Sequence, residues 1–225
     1  MCSPLTVAGA AAEFNRIPFI PSCEGPSPQS ISDTLCYVNR QACLDPVRKL
    51  TMPATTLPPL TLVLGGARSG KSTHAERLLT ALPAPWAYVA TAEAWDAEMR
   101  QRIDVHQARR GSGWISYETP LDLAGVLSGD AAGSPCLVDC LTLWVSNLMH
   151  ARRDIAQEAD VLIEALSKRT APCIMVSNEV GLGIVPDNAL ARQFRDEAGR
   201  LNQRIAAVAD RVLFVAAGLP MNLKG

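Results

Sequence analysis

The chain has 225 residues, with 21 basic and 22 acidic side chains and a formal net charge of −1; 48% of residues are hydrophobic and 19% charged. This balance excludes a disordered chain and a nucleic-acid binder held by a basic surface. The most apolar stretch, Cys136 to Met149, contains Asp139 and falls short of the roughly 20 residues of a membrane-spanning helix, so no span is expected.

Residues 1–59 differ from the rest. They hold 9 of the 16 prolines, 4 of the 7 cysteines and 2 of the 15 glycines, and show no sustained helical or strand period. A Pro-, Ser- and Thr-rich stretch with so little apolar surface is expected to stay loose. Met52 lies just before the first strand, so residues 1–51 read as an over-extended gene start, a disordered tail or a targeting leader. The first basic residue is Arg16, which leaves no basic opening for a secretory signal. A catalytic domain over residues 60–225 is expected to follow, long enough for a sizeable core. Cys2, Cys23, Cys36 and Cys43 lack the CxxC spacing of a zinc site, while Cys136, Cys140 and Cys173 lie in or beside apolar runs. This usage fits a reducing, cytoplasmic compartment.

Leu60 to Leu64 is an apolar strand running into Gly65-Gly66-Ala67-Arg68-Ser69-Gly70-Lys71-Ser72, the GxxxxGK[ST] pattern of a phosphate-binding loop. Glycines let the backbone wrap phosphate oxygens, and the following helix N-terminus favours anions. Lys71 would reach the β/γ-phosphates and Ser72 would ligate Mg²⁺. Thr73 to Leu82 reads as the helix, stopped by Pro83 and Pro85. Ala87 to Ala90 is a second strand, and Trp95 to Arg110 a helix with Trp95, Met99, Arg102 and His106 along one side. Trp114 to Glu118 reads as a strand, and Pro120 as the start of a helix. The strand Cys136 to Asp139 ends in a carboxylate where a phosphate-loop protein places its Mg²⁺-side acid. Helices over Leu141 to His150 and Asp154 to Lys168, the strand Cys173 to Ser177, and a long helix with the stripe Leu190, Phe194, Ala198, Leu201, Ile205 and Val208 follow. The strand Val212 to Ala216 is expected to close the domain. Alternating strands and helices give an α/β fold of phosphate-loop NTPase type: a mostly parallel sheet with helices on both faces.

Three histidines are available. His74 reads as a surface or packing residue and His150 as a helix-dipole partner. His106 stands among Arg102, Arg109 and Arg110. Arginines around a triphosphate neutralise oxygens that would repel a nucleophile, and a neutral imidazole can attack phosphorus. A solvated basic helix end explains the same spacing. No Asn-Lys-x-Asp motif occurs, which argues against a GTPase switch.

Beyond the phosphate loop, residues 62–72, Tyr88-Val-Ala-Thr91, Asp96 to Met99, Arg102 to Arg110, Glu118-Thr-Pro120, Asp139 to Trp144 with Asn147, Asn178 to Pro186, Phe194-Arg-Asp196 and Gly199 to Gln203 follow one another in a single register. Together they resemble the bifunctional adenosylcobinamide kinase/adenosylcobinamide-phosphate guanylyltransferase family over roughly residues 60–217. The resemblance implies two reactions of cobalamin assembly. A nucleoside triphosphate phosphorylates the hydroxyl of adenosylcobinamide's aminopropanol arm; GMP is then transferred from GTP to that phosphate, giving adenosylcobinamide-GDP and pyrophosphate. It implies that His106 carries GMP covalently, that Lys71 serves phosphoryl transfer, and that Thr91, Ala92, Glu93, Arg109, Arg110, Glu118 and Asp139 contact nucleotide. Ser72 and Asp139 would hold Mg²⁺ alongside ATP or GTP. For Glu179, a role in the corrinoid or metal site and a loop cap both remain open. The family also implies a trimer. The alternative is a phosphate-loop kinase of another small molecule, which leaves the His106 cluster idle.

Overall fold

A computed structural model describes residues 57–93 and 111–225. Seven strands form one sheet: β1 (Leu60–Gly65), β2 (Trp86–Ala90), β3 (Trp114–Glu118), β4 (Cys136–Asp139), β5 (Cys173–Asn178), β6 (Arg211–Ala216) and β7 (Leu219–Lys224). The spatial order is β3-β2-β4-β5-β1-β6-β7. Every pairing is parallel except that of β6 with β7. The helices are α1 (Lys71–Leu79), α2 (Leu123–Ser128), α3 (Leu141–His150), α4 (Ile155–Ser167) and α5 (Ala189–Val208). This is an α/β fold, a mostly parallel sheet with helices, as expected.

Burial on both faces explains why the central strands read as continuous apolar runs instead of alternating ones. One core joins Leu62, Val89, Val138 and Met175 to Leu141, Trp144 and Leu148 of α3 and to Leu201 and Ile205 of α5. On the other face Val63, Leu137, Ile174 and Val176 pack with Ala75 and Leu79 of α1. Leu57, in the residues just ahead of β1, is buried in that second cluster, and the Pro59 carbonyl accepts the Cys173 N–H at 2.8 Å. Cys136, Cys140 and Cys173 are buried free thiols.

Several boundaries differ from the sequence expectation for identifiable reasons. The helix expected from Pro120 begins at Leu123, because Asp122 is its N-cap and its carboxylate accepts the Gly125 N–H at 3.0 Å. The helix expected over Asp154 to Lys168 is Ile155–Ser167, with Asp154 capping Ala156 and Gln157. Helix α1 stops at Leu79 instead of Leu82. Along α5, Ala198, Leu201 and Ile205 are buried as the stripe requires, but Leu190 and Val208 at its ends are exposed. Strand β6 does not close the domain. Ala217 (φ 51°) and Gly218 (φ 80°) make a two-residue turn into β7, which pairs antiparallel at the sheet edge. The helix expected over 95–110 lies outside the described residues. Among the described residues no helix is long and apolar enough to cross a membrane.

Candidate active site at the carboxyl edge of the sheet

In an open parallel sheet the loops beyond the carboxyl ends of the strands form the ligand crevice. Register places several of the predicted residues there. Ala90 is level with both Glu118 and Asp139, and Gly65 is level with Asn178 and Val215. The phosphate loop, Thr91 to Glu93, Glu118 and Asp139 thus share one edge of the sheet.

Residues 65–72 form a strand–loop–helix hairpin. Gly65 is obligatory, since a Cβ there would lie 2.5 Å from the Val215 carbonyl oxygen and 2.6 Å from Ser69 Oγ. Gly70, at φ 92°, is the N-cap of α1 and supplies no side-chain cap. No acidic residue stands in the first turn of α1, so its orphan N–H groups remain open to an anion. Lys71 is 8% exposed and its Nζ donates to the Gly66 carbonyl at 3.2 Å, folding the ammonium back over the loop. Ser72, next on α1, is half-buried, and Ala67 and Arg68 are exposed at the tip, Arg68 with φ 56°. The Gly218 N–H donates to the Ser69 carbonyl at 2.8 Å, so the β6–β7 turn braces the loop from outside the expected motif.

Asp139 ends β4, and Tyr88 Oη donates to its Oδ2 at 3.1 Å. A hydroxyl and a carboxylate are hard oxygen donors of the kind Mg²⁺ prefers, and this ion usually takes one or two protein ligands and completes its shell with phosphates and water. Ser72 and Asp139 therefore fit Mg²⁺ accompanying a nucleotide. Cys140, next to Asp139, is buried, and burial, then the adjacent carboxylate, push its thiol up to about 11.

Thr91 is fully buried; its Oγ1 donates to the Cys140 carbonyl at 2.8 Å and accepts the Cys140 N–H at 2.9 Å. Its hydroxyl is spent, so what Thr91 gives the site is backbone position. Asn147, buried on α3, was not expected to have a role of its own. Its Nδ2 donates to the carbonyls of Thr91 (2.7 Å) and Pro120 (3.1 Å), tying together the segments that carry Ala92, Glu93 and Glu118. In sequence it stands out as a polar residue on an apolar helix and as one of the residues that carry the family resemblance.

Glu179 caps its own loop, Oε1 accepting the Gly181 N–H at 2.5 Å. His150 ends α3 with Nδ1 2.8 Å from the Ser146 carbonyl. His74 is half-buried on α1, and burial followed by Arg77 lowers its pKa. His106, Arg109 and Arg110 lie outside the described residues.

The model of the cobinamide kinase / cobinamide phosphate guanyltransferase family matches residues 61–223. The chain is similar to the bifunctional adenosylcobalamin biosynthesis protein CobP of Pseudomonas aeruginosa, 49% identical over 167 residues, 73% of this chain and 96% of that protein. It is 41% identical over 179 residues to the bifunctional adenosylcobalamin biosynthesis protein CobU of Salmonella typhimurium, and 37% identical over 179 residues to that of Escherichia coli. Each of these two alignments covers 72% of this chain and 98% of the relative. With a complete phosphate loop, an acidic strand end at the same edge of the sheet and a family match across all seven strands, the chain belongs to the cobinamide kinase / cobinamide phosphate guanyltransferase family, enzymes of cobalamin biosynthesis.

Proposed function

We propose that the carboxyl edge of the sheet binds the triphosphate for both reactions of the family, with the phosphate loop as its anchor. The observation that carries this reading is the pairing of an uncapped helix N-terminus with a buried lysine folded over the loop. Phosphoryl transfer depends mainly on positioning and electrostatic stabilisation. In the first reaction the hydroxyl oxygen of adenosylcobinamide's aminopropanol arm bonds to the γ-phosphorus. The β–γ bridging bond breaks, the nucleoside diphosphate leaves and the hydroxyl proton is released. Lys71 exchanges the Gly66 carbonyl for phosphate oxygens, and the first N–H groups of α1 hold the β-phosphate. Ser72 and Asp139 would hold Mg²⁺, with Tyr88 fixing one carboxylate oxygen. That ion, when bound with the nucleotide, neutralises charge on the phosphates.

In the second reaction His106 attacks the α-phosphorus of GTP, forming a P–N bond and releasing pyrophosphate. The phosphate of adenosylcobinamide phosphate then takes the GMP, and the P–N bond breaks. Arg109 and Arg110 balance charge on the phosphates, while Ala92, Glu93 and Glu118, held by Asn147 and Thr91, flank the nucleotide. Support for the histidine comes from the family resemblance of residues 102–110. We further assign residues 1–50 to a segment outside the catalytic domain, which takes in Leu57 and Pro59 ahead of β1, the protein to a reducing cytoplasm in keeping with its three buried free thiols, and the functional unit to a trimer.

The test is product analysis by mass spectrometry. The full chain, given adenosylcobinamide, MgATP and MgGTP, yields adenosylcobinamide phosphate and then adenosylcobinamide-GDP with pyrophosphate. Lys71→Ala lowers phosphorylation by about 100-fold or more. Phosphorylation without any adenosylcobinamide-GDP would favour the simple kinase; wild-type protein forming neither product would sink the proposal.

A further inference from the structure

Strand β5 ends at Asn178 and α5 begins at Ala189, and the connection between them, residues 179–188, leaves the sheet at its carboxyl edge. Connections of this kind take roughly 2–6 residues, so this one has chain to spare for a ligand. It starts beside the phosphate loop, the Glu179 N–H donating to the Gly65 carbonyl at 3.0 Å. Its middle reads Val180-Gly181-Leu182-Gly183-Ile184-Val185-Pro186, without a charged residue.

Both ends of the segment are held. Glu179 Oε1 accepts the Gly181 N–H at 2.5 Å, and Arg192 donates to the carbonyls of Pro186 (2.9 Å) and Asp187 (2.7 Å). Asn188 caps α5 through the Leu190 N–H at 2.7 Å. Between these anchors, among the described residues, no hydrogen bond engages the backbone of residues 182–185, and a Cβ on Gly183 would meet nothing within 4 Å. The apolar side chains are open to solvent: Leu182 is 81% and Ile184 98% exposed, and Val185 and Leu190 are exposed with them. Single apolar residues on a surface are ordinary, but a run of them on a segment pinned at both ends beside a binding site marks a patch that a ligand covers.

The chemistry of the first reaction identifies that ligand. The hydroxyl that bonds to the γ-phosphorus sits at the end of the aminopropanol arm, so the macrocycle bearing the arm rests within the arm's reach of the phosphate loop. A corrin is a broad ring rimmed by methyl groups and neutral amide side chains. Exposed Leu, Ile and Val side chains suit the methyl groups, and unpaired backbone N–H and carbonyl groups suit the amides. A nucleotide matches less well, because residues 179–188 carry two acidic side chains, Glu179 and Asp187, and no basic one to meet phosphates.

We propose that residues 180–186, together with Leu190, form the docking surface for the corrin ring of adenosylcobinamide. The proposal rests on the phosphate-loop reading above, which sets where the γ-phosphoryl group lies, and adds the seat of the acceptor to it. The ring is held equally before and during phosphoryl transfer, so the surface acts on KM and not on kcat.

Steady-state phosphorylation by the full chain, with adenosylcobinamide and MgATP varied in turn, tests it. For the double variant Leu182→Ser/Ile184→Ser, KM for adenosylcobinamide is expected to rise about 10-fold or more, with kcat within about threefold and KM for MgATP within about twofold. Leu223 is also exposed but lies toward the opposite edge of the sheet, where β7 meets the start of β6, and Leu223→Ser should leave all three values unchanged. Ile184→Ser alone is measured if the double variant does not fold. An unchanged KM for adenosylcobinamide, or an equal rise in both KM values, would overturn the proposal. So would sedimentation of the double variant as a smaller species than the wild type, which would assign the surface to a second copy of the chain. A wild-type chain with no affinity for MgATP would overturn the phosphate-loop reading and this proposal with it, whereas intact MgATP binding with an unchanged KM for adenosylcobinamide overturns this proposal alone.

Discussion

Replacing Asn147 by leucine removes one amide of similar size and leaves the rest of α3 unchanged. The Nδ2 group serves two acceptors, the buried Thr91 carbonyl at 2.7 Å and the partly buried Pro120 carbonyl at 3.1 Å. Orphaning a buried carbonyl costs about 1–3 kcal/mol, and a partly wet one roughly 0.5–1.5 kcal/mol. Burying the leucine side chain returns about 1 kcal/mol in this partly polar niche. The net loss is about 1–3 kcal/mol. For a domain of this size each kcal/mol moves Tm by roughly 2–4 °C, so a drop of about 3–10 °C is expected. Asn147→Asp should be worse, because it turns a donor into an acceptor facing two carbonyls. Thermal unfolding followed by circular dichroism measures both variants. A leucine variant melting with the wild type, or an aspartate variant more stable than the leucine one, would refute the reasoning. Because the same amide joins the Thr91 and Pro120 segments, Asn147→Leu should also raise KM for GTP in guanylyl transfer more than it lowers kcat.

Two further substitutions test neighbouring parts of the account. Gly65→Ala would bring its Cβ to 2.5 Å from the Val215 carbonyl oxygen, whereas a Cβ at Gly66 would meet nothing within 4 Å. The first should cost about 1–3 kcal/mol and most nucleotide affinity, the second little stability, as denaturant titration would record. Arg169 donates to the carbonyls of Leu127 (2.7 Å), Ala131 (3.0 Å) and Ser134 (2.8 Å), binding the approach to β4 to the approach to β5. Arg169→Met should destabilise by about 2–4 kcal/mol, with Arg169→Lys recovering only part of it because one ammonium cannot reproduce the guanidinium fork; full recovery by lysine would contradict the geometry.

The order of strands and helices was legible in sequence because each central strand is buried on both faces and reads as an unbroken apolar run ending at a glycine or a polar residue. The phosphate loop was legible because its backbone needs dictate residue types at fixed spacing. Strand β7 was not: its turn uses Ala217 and Gly218 where Asn-Gly is the usual signal, Pro220 lies inside it, and its side chains are exposed, so no burial period marks it. The helix at Leu123 was anticipated three residues early because a proline is permitted at a first helical turn, while Asp122 is the residue that caps it. Asn147 was visible only as one of the residues that carry the family resemblance. Its role depends on carbonyls distant in the chain, and sequence spacing carries no trace of such partners.

The claim at the centre of the account is that one site both phosphorylates the corrinoid and passes GMP through His106. The most direct measurement uses GTP labelled at the α-phosphate: the full chain is incubated with it and Mg²⁺, denatured and separated from free nucleotide. Acid-labile label should remain on the wild-type chain, be discharged by adenosylcobinamide phosphate, and be absent from His106→Ala. Label persisting in His106→Ala, or never forming on enzyme that makes adenosylcobinamide-GDP, would contradict the account.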